Sequence, residues 1–543
     1  MRRSKEAAKW VLAAALMGSM PIGQALADPP VAPTVIDKPG HGAPVPRSFP
    51  DLVPYWNFDP PKSPLFDISK FTLSGDMRVR GEYRNNGFFG ANASGAAGRS
   101  ANDKTADAGV QQWARIGLNY SASQDVDFFT QLQYSKTWGG ANSNAVNAND
   151  AASQTGAVNG SILGVRQAFI MIRNLGVDGL SLKAGRQLVV MGNHRLFGHF
   201  DWNNQAFSHD GITIQYNQPT YEVWGGWLHL SDQDSFASGA SSGGIGQSAN
   251  NTTPLQGGSN SADLLFTRLA FKPIAGLAIE PLWVFLNNKT GVATTGGVTP
   301  GVGNVLAPHA PGQNRHTLGG RVAYRQGMFD GTFEGYWQTG SMAVAGQANT
   351  LHINATALAV EGGITLQNVP TNPRVGLEFN YASGDGDGGA CARGGNCNGN
   401  ANTFENLYPT NHIVMGYADR MAWRNMLGFS GSLQLNPTQQ SHLEARYWVF
   451  QKANNGDCWY TASQGCAVMP AASGVATSNS LYKELDLIYT LFFKGNKVAW
   501  QTGGAYLWSG GAIDQTVAGS TSGNGPQSSV NSTWAYTQLQ INF

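Results

Sequence analysis

Ser532 to Phe543 read STWAYTQLQINF, and the stretch alternates without a break. Thr533, Ala535, Thr537, Leu539, Ile541 and Phe543 fall on one face, while Trp534, Tyr536, Gln538, Gln540 and Asn542 fall on the other. Successive side chains of a β-strand point to opposite faces, so one side of this segment suits lipid and the other a wet lumen. A C-terminal Phe resembles the signal by which bacterial outer-membrane proteins reach their insertion machinery, which makes the barrel-assembly machinery an expected partner. A soluble edge strand would alternate in the same way, so the rest of the chain has to decide.

Working outward from this strand, the same period recurs back to Phe71. There Phe71, Leu73, Gly75, Met77 and Val79 alternate with Thr72, Ser74, Asp76, Arg78 and Arg80. The pattern predicts eighteen strands between 71–83 and 532–543, with 163–173 and 220–231 alternating least well. The connectors alternate too: short turns such as 122–125, 218–219 and 326–328 separate long loops such as 84–111, 189–209, 384–420 and 452–479. An even count with tight turns at one end and long loops at the other predicts an all-β, transmembrane antiparallel up-and-down barrel with both termini in the periplasm. A soluble sandwich gives no reason for every second connector to be short, and its inward faces should be apolar. Here one face carries Asp76, Arg115, Gln131, Gln133, Arg321, Arg374, Glu378, Arg446 and Asp486, and the other ends in aromatics such as Tyr120, Trp138, Trp283 and Trp337. The first set belongs beside water and the second suits an interfacial girdle.

Only 13% of the 543 residues are charged, and no apolar run outside the N-terminus approaches the length of a membrane-spanning helix. Arg2, Arg3, Lys5 and Lys9 precede WVLAAALMGSM, and Ala25-Leu26-Ala27 fits a small-residue cleavage site, so residues 1–27 read as a signal peptide. Residues 28–70 are Pro-rich and read as a periplasmic extension or a segment tucked into the barrel mouth; 71–543 form the barrel. Three net positive charges leave with the signal, taking the formal charge from +1 to −2, which argues against a nucleic-acid partner. In an exported chain Cys391, Cys397, Cys458 and Cys466 are disulfide candidates, with three pairings open.

Several motifs carry candidate chemistry. Arg78 and Arg80 share a face, as do Arg321 and Arg325; with Arg115, Arg374 and Arg446 they are candidates for a substrate path, because guanidinium stays charged and grips carboxylates in a bidentate fork. The alternative is neutralisation by Asp76, Glu82, Glu334, Glu378, Glu444, Glu484 and Asp486 on the same face, which would hold strands in register. The loop after the fifth strand begins at GRQ and adds Arg186 and Arg195 to the candidate path. Its Asp201 and Trp202 are candidate sugar contacts, the indole stacking on a pyranose ring, or else they pack a folded extracellular loop. Asp385 and Asp387 in SGDGDGG would bind Ca²⁺ if further oxygens converged; a plain turn explains them as well. No catalytic constellation is readable and no cofactor is expected.

GRQ at Gly185–Gln187 with the following FDWNN and HDGITI, then YASGDGD, TFENLYPTNHIVMGYAD at Thr403–Asp419 and KELDLIYT at Lys483–Thr490, resemble the motifs of the bacterial alginate-export family of outer-membrane channels. The resemblance extends from about Phe71 to Phe543. It implies an eighteen-stranded monomeric barrel and a passive, arginine-lined path for an anionic polysaccharide or oligosaccharide, fed by periplasmic polymer-synthesis proteins if the direction is export. Rival readings are an uptake porin for small organic acids or sugars, a barrel-scaffold enzyme, and an adhesin with a closed lumen.

Overall fold

In the computed structural model the described residues are 70–86, 89, 106–138, 162–204, 207–232, 261–288, 312–342, 350–386, 399–462, 464, 466–468, 478–519 and 530–542. The expected signal peptide and nearly all of the Pro-rich extension lie outside them, as do Asp387, Cys391, Cys397 and Phe543.

Eighteen antiparallel strands form the wall: β1 Phe71–Asn85, β2 Ala106–Ser121, β3 Val126–Thr137, β4 Ile162–Ile172, β5 Leu180–Gln187, β6 His209–Asn217, β7 Tyr221–Asp232, β8 Ser261–Phe271, β9 Leu277–Asn288, β10 Gln313–Gln326, β11 Phe329–Met342, β12 Leu351–Thr365, β13 Arg374–Ala382, β14 Met426–Thr438, β15 Ser441–Gln451, β16 Ser480–Phe493, β17 Val498–Ser509 and β18 Ser532–Asn542. Each pairs with the next, and β18 returns to β1 with Asp76 opposite Asn542 and Asn85 opposite Thr533. Closure leaves no sheet edge, which a wall in hydrocarbon requires because lipid offers its backbone groups no partner. Beside the wall, Asn400–Ala401 pairs in parallel with the start of β12, Trp459–Tyr460 pairs with Cys466–Val468, and a helix runs over Gly511–Gly519.

The alternation read from the sequence fixes which side chains meet lipid. Leu377 is 71% exposed and Val375, Phe429, Phe333 and Leu487 are about half exposed or more, all pointing outward. An apolar band of this extent has no place in water and suits a bilayer. On β1 the opposite set, Asp76, Arg78, Arg80, Glu82 and Arg84, is buried inside.

The two poorly alternating strands both contain bulges. Opposite Gln131 and Leu132 of β3, strand β4 presents Gln167 and Val165 and leaves Arg166 extra. Arg166 and Gln167 are consequently both buried, where strict alternation would turn one of them out. A second irregularity leaves Leu230 extra on β7. One boundary also moved: β14 starts at Met426 rather than at the expected 421, because Met421 to Asn425 belong to a segment buried inside the barrel.

Candidate functional site

Two of the long connectors fold into the lumen. Residues 188–204, after β5, and 401–425, before β14, are almost wholly buried. They run alongside each other: Phe197 and Tyr408 form a parallel bridge, Gly198 N–H donates to the Tyr408 carbonyl at 2.8 Å, and Tyr408 N–H donates to the Leu196 carbonyl at 2.9 Å. Gly198 permits this approach, since a Cβ there would collide with both the side chain and the backbone of Thr410.

This paired insert has two sides. Leu196, Phe197, Leu407 and Tyr408 join a core with Leu228, Leu264, Phe266, Val284 and Leu286 on the inner face of β7–β9. Each such side chain taken from water contributes roughly 1.5–3 kcal/mol, so this side is held by burial. The other side is held by arginines. Asp201 takes a bidentate grip from Arg115 at 2.9 and 3.1 Å and a further bond from Arg166 at 2.5 Å. Burial alone would raise the Asp201 carboxyl, but the two guanidinium charges prevail and hold it well below the usual carboxylate range. Arg78 donates to the carbonyls of Asp201 and Trp202 at 2.7 and 2.9 Å, and Arg80 donates to the Trp202 carbonyl at 2.5 Å. Farther along, Arg195 reaches Glu378 at 2.6 Å and Glu334 at 3.3 Å, and Arg321 reaches Glu280 at 2.7 Å and Asn193 at 3.0 Å.

The second inserted stretch is fixed at two points. Gln338 on β11 exchanges a reciprocal pair of bonds with the Glu405 backbone, at 2.7 and 3.0 Å. The Ala418 peptide is clamped between Arg84, which donates to its carbonyl, and Glu484, which accepts from its N–H, both at 2.9 Å.

The candidate path residues therefore fall into groups. Arg78, Arg80, Arg115 and Arg195 converge on the insert, as does Arg321. Arg446 lies inside but binds Glu378 and Glu444, and Arg374 binds Asp330 at 2.9 and 2.5 Å. Arg325 shares the inner face of β10, opposite Asp330 in register. Arg186 is a correction: odd-numbered Lys183 and Gln187 take the inner face of β5, so Arg186 points outward and pairs with exposed Asp210 at 2.9 Å.

Trp202 also differs from its expected role. Arg80 covers one face of the indole at 3.8 Å and His412 stacks on it at 3.7 Å, leaving no face for a pyranose ring; the loop lies in the barrel and not on the surface. Asp385 accepts from the Asn402 N–H and donates its own N–H to Asp457, as a loop-pinning residue does. Cys458 is disulfide-bonded. Sequence reading missed Arg84, Arg166, Arg315 and His412. Arg84 and Arg315 continue the period-two rows of Arg80 and Arg321 and were legible; the bulge hid Arg166.

The sequence matches the alginate export family over residues 69–229 and 289–524. The chain belongs to the alginate export family. As a member with a closed eighteen-stranded barrel, it is a channel of the bacterial outer membrane. No curated protein matches the chain. Similar solved structures include Pseudomonas aeruginosa OccD3 (OpdP), at 11% identity and TM-score 0.47 over 87% of this chain and 91% of that one. Acinetobacter baumannii OccAB4 is 10% identical with TM-score 0.48, over 87% and 98%. Pseudomonas aeruginosa OpdK, solved with vanillate, is 9% identical with TM-score 0.48, over 87% and 98%.

Proposed function

We propose that this alginate export family channel passes an anionic polysaccharide or oligosaccharide by diffusion, and that the insert is a stand-in for cargo in the resting state. The observation that carries this reading is the use of Arg78 and Arg80. Their guanidinium groups hold neutral main-chain carbonyls of Asp201 and Trp202. A carboxylate makes the stronger, charge-assisted bond to the same fork, so an arriving uronate competes favourably for these donors. One carboxylate, Asp201, also faces two guanidiniums, Arg115 and Arg166, which leaves a positive excess beside the same stretch.

A second reading, an uptake porin for small organic acids or sugars, is favoured by the pairing elsewhere on the wall. Arg321 with Glu280, Arg374 with Asp330 and Arg446 with Glu378 and Glu444 present balanced charge to a solute. The test is single-channel conductance in a planar bilayer with titrated oligouronate. An anion-selective current blocked by oligouronate, with block weakened in Arg78→Ala, supports the polysaccharide reading. A current indifferent to uronates moves the assignment to uptake of small solutes.

A further inference from the structure

Beside the arginines of β1 runs an uncharged row of the wall. Thr490 on β16, Gln501 on β17, Gln538 on β18, Arg80 on β1 and Gln111 on β2 stand opposite one another in register and all face inward. Gln501 donates to Thr490 at 2.9 Å; its own Oε1 accepts from Gln538 at 3.0 Å and from the Tyr536 hydroxyl at 2.8 Å. These bonds fix the amides and use up their donors toward neighbours. What is left over is acceptors: the Oε1 atoms of Gln538 and Gln540 are buried and have no hydrogen-bond partner. Gln540 stands opposite Arg78 as Gln538 stands opposite Arg80. Two adjacent rungs thus place an open amide oxygen next to a guanidinium.

Such a pair makes a demand that an arginine row alone does not make. A guanidinium takes oxygen acceptors, whereas an amide oxygen needs a donor, and leaving it buried and unmet costs free energy. We infer that Gln538 and Gln540 form a hydroxyl-reading subsite beside Arg78 and Arg80, suited to a sugar acid and not to a carboxylate lacking hydroxyl groups. The inference rests on the anionic-cargo reading above and narrows it: a polyhydroxylated acid satisfies both rungs, while a bare polycarboxylate satisfies only the arginines.

The experiment compares block of the full-length channel in a planar bilayer by trigalacturonate and by tricarballylate, which carries three carboxylates and no hydroxyl. Two lost bonds of ordinary strength correspond to about tenfold. Trigalacturonate should bind the native channel about tenfold more tightly than tricarballylate, and Gln538→Leu/Gln540→Leu should remove that advantage while leaving tricarballylate block unchanged. Equal loss of both blockers, or loss of neither, overturns the subsite. If neither compound blocks the native channel, the anionic-cargo reading itself fails. Should the double variant fail to give the heat-modifiable band of a folded barrel, Gln540→Leu alone decides, since its amide makes only a long bond of 3.3 Å to Asn542.

Discussion

Trp202 and His412 stack with ring centroids 3.7 Å apart and planes within 9° of parallel, although 209 intervening residues and eight strands separate them in the chain. The stack joins the two inserted stretches, and Arg80 closes the far side of the indole. A buried Trp replaced by Ala costs about 3–5 kcal/mol, nearly all of it here charged to the insert and not to the wall. Trp202→Ala should therefore leave a folded barrel with a larger conductance or a higher open probability. A variant with native conductance would show that the stack does not hold the lumen closed.

Asp201 is the carboxylate that Arg115 and Arg166 share. Asp201→Asn keeps the shape and removes the charge, leaving two buried guanidiniums uncompensated, a change that typically costs about 3–5 kcal/mol. The reversal potential in a salt gradient should shift toward stronger anion selectivity, with the insert less firmly docked. An unchanged reversal potential would mean that ions do not sense this part of the lumen.

The same carboxyl sets an acid limit. Its pKa is lowered in the folded chain, so its contribution is complete above the ordinary Asp value of about 4 and is lost only as pH falls through the depressed folded value. Conductance recorded against pH should stay at its closed-state level from neutrality down to about pH 4 and rise below that. A midpoint at about pH 6 would instead assign the opening to histidines.

Arg186 supplies the control for the arginine assignments. It lies on the outer face with Asp210, whereas Arg78 faces the insert. Arg186→Gln should leave selectivity and oligouronate block as in the native channel, and Arg78→Gln should weaken block about tenfold, the strength of one charge-assisted bond. Equal effects of the two would place Arg186 in the path after all.

The two rows on β1 show how much was readable beforehand. Met77 and Val79 against Arg78 and Arg80 are assigned to lipid and lumen by parity alone, and the same rule found all eighteen strands and the inward arginines along them. Parity fails where a residue is inserted, which is why Arg166 was invisible and why β4 read poorly. Short turns and long loops were legible because chain length between strands is a property of the sequence.

The sequence by itself determined the barrel, its faces and its address, because one side of every strand must satisfy lipid and the period of two writes that requirement into the order of residues. Only the tertiary structure decided that the long connectors 188–204 and 401–425 turn inward, that Trp202 is covered on both faces, and that Arg78 and Arg80 grip carbonyls and not carboxylates. Those outcomes depend on contacts between segments hundreds of residues apart, which leave no period in the chain and arise only when closure of the wall brings the segments together.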